Sequence, residues 1–264
     1  MDNKIKYQYA KAENGNSINI NGLQKTPEVR NSKYYCFSCG HELIPVLGEI
    51  RQKHFRHLKN IECNFETYLH NLAKGLFFEV YNQCLESNEP FEINLFQEII
   101  CDECGEFLTS PCVFRGPVIG FDLIKFFPDI RLECQYDGFV PDILLSNDKG
   151  EVLFIEFAVT HFCSESKSKS SYRVIELQII DESSLNPILD MCLSQDNEEI
   201  QFYNFVTPQK NISLNPKCNK TFPFFLLKSD GSAAIRDVPI RSWKKRNYFK
   251  KFVYLNQITE TSIG

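Results

Sequence analysis

Between Asn64 and about Glu86, apolar residues recur every three or four positions, at Phe65, Leu69, Leu72, Leu76, Val80 and Cys84. That is the spacing of one face of an amphipathic helix, and Asn64 stands where an N-cap is needed. After Pro90 the period changes. FEINLFQEII, VIGFDLIKFF, IRLECQY, FVPDILLS and EVLFIEFAV read as strands, with the cysteine-bearing stretch CDECGEFLTSPC interrupting them after the first. The polar run SESKSKSS separates these from RVIELQII, a strand expected to lie parallel to EVLFIEFAV and beside it. Short helices and loops are expected over 183–200, followed by strands QFYNFV and FPFFLLK. A helix, antiparallel strands, a crossover and a further strand predict an α/β (α+β) core.

Turn chemistry sets the register. Asp137-Gly138 between IRLECQY and FVPDILL predicts a two-residue hairpin loop, which pairs Tyr136 with Phe139 and places Glu133 opposite Asp142. Asp148, Lys149 and Gly150 read as a three-residue loop, which pairs Asn147 with Glu151 and sets Asp142 opposite Glu156. Glu133, Asp142 and Glu156 are then expected side by side on three strands, each about 4.8 Å from the next. Like charges so placed repel. A hard divalent cation offsets the repulsion, and Mg²⁺ binds through one or two carboxylates plus waters and phosphate. Leu144 and Ala158 share the acids' side, so that face reads as semi-buried, while Ile143, Leu145, Ile155 and Phe157 occupy the other.

Cysteine changes the picture next. Eleven cysteines in 264 residues are many, yet a chain this long and rich in Phe, Ile and Leu does not need a disulfide framework. Clustered thiols in a reducing compartment point to metal. Cys36-x2-Cys39, His54, His57 and Cys63 offer five ligands for the four places on a structural zinc ion. Cys101-x2-Cys104 and Cys112 offer a second knuckle, with Cys134 or Cys163 as fourth ligand. No signal segment and no span of eighteen apolar residues is evident, so a cytoplasmic location is the expectation. The net charge of −5 excludes a uniformly basic nucleic-acid binder. A local patch remains in RSWKKRNYFKK, residues 241–251, where Lys244, Lys245, Arg246, Lys250 and Lys251 are interleaved with aromatics in the manner of a phosphate-tracking, base-stacking surface.

Pro141-Asp142 followed by Glu156 in an apolar strand resembles the signature of the PD-(D/E)XK nuclease superfamily, except that Ala158 stands where a lysine is usual. The order Cys-x2-Cys, His-Phe-Arg-His and Cys, then Glu66, His70 and Lys74 on a helix, then Pro141-Asp142, Ile155-Glu156, Val159-Thr160-His161, Lys167 and Ile175-Glu176, resembles the competence protein CoiA-like family. The resemblance implies a restriction-endonuclease-like mixed sheet flanked by helices, with a zinc-ribbon module. On that basis residues 1–33 are an irregular lead-in, 34–63 the ribbon and 64–264 the nuclease-like domain, with a cysteine-rich insertion at 101–112. It favours His57 over His54 as the zinc ligand beside Cys36, Cys39 and Cys63. It also makes Glu66 an outer ligand of the Mg²⁺ (or Mn²⁺) held by Asp142 and Glu156.

The implied activity is metal-dependent cleavage of DNA in processing, recombination or defence. The expected roles around the metal follow from this. Lys167 is expected to return the missing ammonium, with Lys169 and His161 as rival donors, while Glu133 sits at the metal's edge and Glu176 and Gln178 lie on one side of the neighbouring strand, within reach of phosphate or metal-bound water. A different class of function stays open on Ala158: a catalytically silent nuclease fold that binds DNA and assists recombination during DNA uptake.

Overall fold

The hairpin turns fold as their residues dictate. In the structure, a computed structural model describing residues 7–48, 52–59, 61–100, 113–160, 170–206, 221–227 and 231–239, Asp137 and Gly138 take positive φ (45° and 81°) and Tyr136 exchanges both backbone hydrogen bonds with Phe139. Gly150 also takes a positive φ, and the Asn147 amide donates to the Glu151 carbonyl. These turns generate the registers expected from them.

The described residues of Met1–Leu95 and Val118–Val206 form one compact unit, and those of Phe96–Pro117 and Thr207–Gly264 a second. The first unit opens with β1 (Tyr9–Ala12), β2 (Ser17–Asn19), the short helix α1 (Pro27–Asn31), β3 (Tyr34–Tyr35), β4 (Glu42–Val46) and β5 (His54–His57). They make a sheet of order β2-β1-β3-β4-β5. A bridge between Tyr7 and Phe55 ties its far edge back to the residues before β1. Residues 9–12 and 17–19 are therefore strands of the same sheet as the cysteine module, and the expected irregular lead-in is not what these residues form. They are short and lack polar/apolar alternation, so periodicity does not disclose them.

Helix α2 (Phe65–Ser87) follows, capped by the Asn64 side chain, which accepts from the Thr67 amide at 3.1 Å. It ends at Asn88 in the left-handed conformation. Its apolar face, including Tyr68, Leu69, Leu72, Leu76, Phe77 and Tyr81, is buried. Next come β6 (Glu92–Ile100), β7 (Val113–Asp122), the helical turn α3 (Leu123–Phe126) and β8 (Asp129–Leu132). The apolar run VIGFDLIKFF, expected as one strand, thus ends its strand at Asp122. There Lys125 pairs with Asp122 at 3.0 Å and the consecutive residues Leu123 and Ile124 both bury, which a turn of helix permits. The order continues with β9 (Ile143–Ser146), β10 (Val152–Ala158), β11 (Arg173–Gln178), the helical turn α4 (Asn186–Leu189), β12 (Cys192–Ser194) and β13 (Ile200–Tyr203).

The central sheet has the order β13-β11-β10-β9-β8, with β10 and β11 parallel and the other pairs antiparallel. One face contributes Ile143, Leu145, Leu153, Ile155, Phe157, Ile175 and Leu177 to a core shared with α2 and with Tyr9, Ile20, Leu43 and Phe55 of the N-terminal sheet. The cysteine module and the central sheet therefore bury their apolar surface together. The opposite face buries Leu144, Val152, Phe154 and Val174 beneath Tyr136, Phe139, Tyr172 and Tyr203. A small sheet of order β12-β6-β7 lies along the chain entering the second unit, which also holds the hairpin of β14 (Thr221–Leu227) and β15 (Ala233–Pro239). The described residues contain no helix long and apolar enough to cross a membrane.

Candidate functional site

The register of the central sheet aligns its acidic residues in one row. Ile155 pairs with Ile143, so Asp142 falls beside Glu156, while Glu156 pairs with Glu176 and Glu176 with Gln201. On the other side Leu132 pairs with Ile143, and the Glu133 amide donates to the Asp142 carbonyl at 3.1 Å. Four carboxylates on four adjacent strands thus share a level of the sheet. They differ in environment. Glu156 and Glu176 are buried, and the Tyr203 hydroxyl donates to Glu176 at 3.1 Å. Glu133 takes a φ of 43°, unusual for a side chain with a Cβ, and its carboxylate is largely exposed. Among the described residues the acids do not close into a group of three with ligand atoms within 4.8 Å of one another.

Helix α2 lays its polar stripe across this end of the sheet. Glu66, His70 and Lys74 project at i, i+4 and i+8, and each meets a different strand end. Glu66 accepts from the Thr160 hydroxyl just beyond β10. His70 Nε2 lies 3.1 Å from Asp142 Oδ2, which also accepts from the Phe157 amide at 2.9 Å. Lys74 Nζ donates to Glu133 Oε1 at 2.5 Å and stands 4.0 Å from Asp142 Oδ1. Burial works to raise the Asp142 pKa. The His70 and Phe157 hydrogen bonds and the charges of His70 and Lys74 outweigh it, and the carboxyl stays below its ordinary value. Oδ2 is thus held by protein donors, while among the described residues the partner of Oδ1 is the ammonium at 4.0 Å.

His70 as the group that orients Asp142 was not assigned a role by the sequence. The available signal was its helical spacing from Glu66 and Lys74. His161, Lys167 and Lys169 lie outside the described residues, as do Cys101, Cys104, Cys112, Cys163 and the basic stretch 241–251. Cys134 is described and packs with Tyr136 and Phe139 against the aromatic face. Gln178 lies opposite Ala158, two residues beyond the Glu156–Glu176 pair.

The second centre is made of sulfur and nitrogen. The ligand atoms of Cys36, Cys39, His57 and Cys63 all lie within 4.8 Å of one another. Cys36 and Cys63 sulfurs are 3.5 Å apart, and Cys39 Sγ lies 3.2 Å from His57 Nε2. A tetrahedral zinc with Zn–S bonds of ~2.3 Å needs its sulfurs ~3.7 Å apart. The donor set and its spacing fit the ion. His54, three residues earlier on the same strand, turns its Nδ1 to the Gln52 carbonyl at 3.0 Å instead. Burial pushes the Cys36 thiol up to about 12. Cys63 stays below its ordinary value despite burial, because Ser38, Tyr7, Cys36 and Cys39 hydrogen-bond to it. Burial, and then the charge of His41, lower the His57 pKa and favour the neutral ring that a metal requires.

Residues 19–66 match the family model of the competence protein CoiA, N-terminal domain. The CoiA-type segment contains all four Cys/His ligands and runs into the first turn of α2 at Glu66. It covers less than a fifth of the chain and stops short of Asp142 and Glu156. Nothing among curated proteins or solved structures matches the chain. The cysteine module is anchored to α2: the Asn71 side chain donates to the Phe37 carbonyl at 2.9 Å, and the Phe37 ring packs over Gly75. Between them lies a cavity of about 500 Å³ with Lys74 and Glu133 in its wall.

Proposed function

We propose that the chain is a metal-dependent DNA nuclease whose centre is the carboxylate row at Asp142 and Glu156. The observation that supports this reading is the strand register that sets Asp142 beside Glu156, with His70 and Lys74 of α2 reaching Asp142. A hard divalent ion suits these donors, because carboxylates crowded on adjacent strands are relieved by a cation bound through oxygen. Asp142 offers Oδ1 to it, with Oδ2 fixed by His70 and Phe157, and Glu156 offers the neighbouring carboxylate. Mg²⁺ or Mn²⁺ bound there would polarise a phosphate oxygen and lower the pKa of a coordinated water.

The residues around it have separate tasks. His70 fixes the rotamer of Asp142. Glu176 and Tyr203 close the buried side of the row. Glu66, fastened to Thr160, lies toward the exposed side as an outer ligand. The Cys36, Cys39, His57 and Cys63 site holds zinc in a structural role, since four protein ligands leave no place for substrate. Residues 241–251 supply cations for the DNA backbone, so binding should weaken steeply with salt. The match of residues 19–66 to the CoiA N-terminal domain supports a setting in competence, with DNA as the partner.

The test is cleavage of single-stranded and duplex DNA in Mg²⁺ or Mn²⁺. Asp142→Ala and Glu156→Ala should each lower the rate by at least ~10²-fold. Undiminished activity in both would remove the assigned site. Ala158 favours the second reading, a silent nuclease fold that binds DNA as an adaptor. Wild-type protein that retains DNA on a filter yet cleaves none with either metal would decide for it.

A further inference from the structure

We infer that Lys74 of α2 supplies the catalytic ammonium that the sheet itself lacks at Ala158, and that Glu133 orients it. The inference rests on the nuclease reading and names a residue of that same site. Position 158 cannot contribute charge, and its alanine is 4% exposed. Among the described residues, the helix brings a cation beside Asp142. Only 12% of the Lys74 side chain is exposed, so its ammonium is held in place and not free to sweep through solvent. Two contacts define its direction: 2.5 Å to Glu133 Oε1 and 4.0 Å to Asp142 Oδ1.

The longer contact is the informative one. At 4.0 Å the ammonium is beyond hydrogen-bond range of Oδ1. A water fits between the two groups, accepting from Lys74 and donating to Oδ1 at ~2.8 Å each with the two bonds at about a right angle. Oδ1 is also the oxygen of Asp142 left by His70 and Phe157. A phosphodiester oxygen, which only accepts, would replace that water at Lys74 once Oδ1 serves the metal ion, and the cavity of about 500 Å³ beside Lys74 and Glu133 has room for the nucleotide that bears it.

Glu133 completes the arrangement. Its left-handed backbone at φ 43° aims the carboxylate at Lys74 from the strand end, and functional sites hold such strained conformations when the surroundings determine them. The ion pair holds the ammonium in place. Lys74 therefore acts as a hydrogen-bond donor and charge, not as a base. In the hydrolysis, water oxygen forms a bond to phosphorus and the bond from phosphorus to the leaving sugar oxygen breaks. The water gives its proton to solvent, the sugar oxygen takes one from solvent, and Lys74 steadies the added negative charge on the phosphoryl oxygens throughout. Glu133 is then a positioning residue and not a metal ligand.

The test compares wild type with Lys74→Ala, Lys74→Gln and Lys74→Arg, all zinc-loaded, by three readouts. Both uncharged variants should cleave DNA ~10²–10³-fold more slowly in kcat. Each should bind Mn²⁺ by titration, and DNA in Ca²⁺, within about threefold of wild type, because the ammonium acts on the reacting phosphate. Lys74→Arg should recover part of the rate, and an added small primary amine should restore part of it to Lys74→Ala. A parallel loss of Mn²⁺ affinity or of folding in both Lys74→Ala and Lys74→Gln, without amine rescue, would make Lys74 structural and overturn the inference. So would full activity in Lys74→Ala alongside a ~10²-fold loss in Lys167→Ala. Wild-type protein that cleaves nothing would overturn the nuclease reading and this inference together, and is distinguished by its failure before any variant is compared.

Discussion

At the scale of single residues, the site depends on who holds each donor atom. His70 hydrogen-bonds Asp142, the acid proposed to hold the metal, and partners of metal ligands usually contribute 10–100-fold to affinity or rate. His70→Ala should therefore weaken Mn²⁺ binding, measured by titration, by about one to two orders of magnitude, while Asn71→Ala, which touches the knuckle, should leave it nearly unchanged. The two histidines of β5 separate equally well. His57→Ala should lose the zinc and His54→Ala should keep about one equivalent per chain by elemental analysis. Zinc retained in His57→Ala and lost in His54→Ala would contradict the geometry. Much of this scale was readable in the chain: Asp-Gly at 137–138 and Gly150 dictate the turns, and the turns set Asp142 beside Glu156. The left-handed Glu133 was not, since no local pattern distinguishes it from an ordinary strand residue.

Among the elements, α2 is the one to which both centres are referred. Its Tyr68 hydroxyl lies 3.0 Å from the Tyr9 carbonyl and 2.5 Å from Glu182 Oε1, which also accepts from the Gln8 amide at 2.7 Å. Tyr68→Phe removes the hydroxyl that donates to the Tyr9 carbonyl and to Glu182 and accepts from the Tyr9 amide at 3.2 Å, and should cost ~1–3 kcal/mol in urea unfolding. Burial raises the Glu182 pKa, against the lowering effect of the bonds from Tyr68 and the Gln8 and Tyr9 backbone. The folded state therefore holds this proton more tightly than the unfolded chain. The resulting stability is complete below the unfolded value of about 4.3 and is lost as pH rises through the folded value. The stability of wild type relative to Glu182→Gln should fall as pH rises above about 4.3, and a constant difference would refute the assignment. Helix α2 itself was legible from its apolar period and its Asn64 cap. The partners of its polar stripe were not, because Glu66, His70 and Lys74 each meet residues far along the chain, and periodicity carries no information about such meetings.

For the whole molecule, the shared core has a consequence for zinc. Tyr9, Leu43 and Phe55 of the cysteine module bury with Leu69, Leu72 and Phe77 of α2 and with Ile155 of the central sheet. Chelation should then lower the melting temperature of this unit as one cooperative transition, not release a module ahead of the sheet. The short strands β1 and β2 escaped the sequence pattern for the same reason: their place is given by that common core and by the Tyr7–Phe55 bridge. The account as a whole turns on whether crowded acids at one end of a sheet form a seat for a hard ion. Titration of the zinc-loaded protein with Mn²⁺, read by electron paramagnetic resonance, addresses this without reference to substrate. One saturable site in wild type that disappears in both Asp142→Ala and Glu156→Ala is the predicted result. Equal Mn²⁺ binding in all three proteins would contradict it.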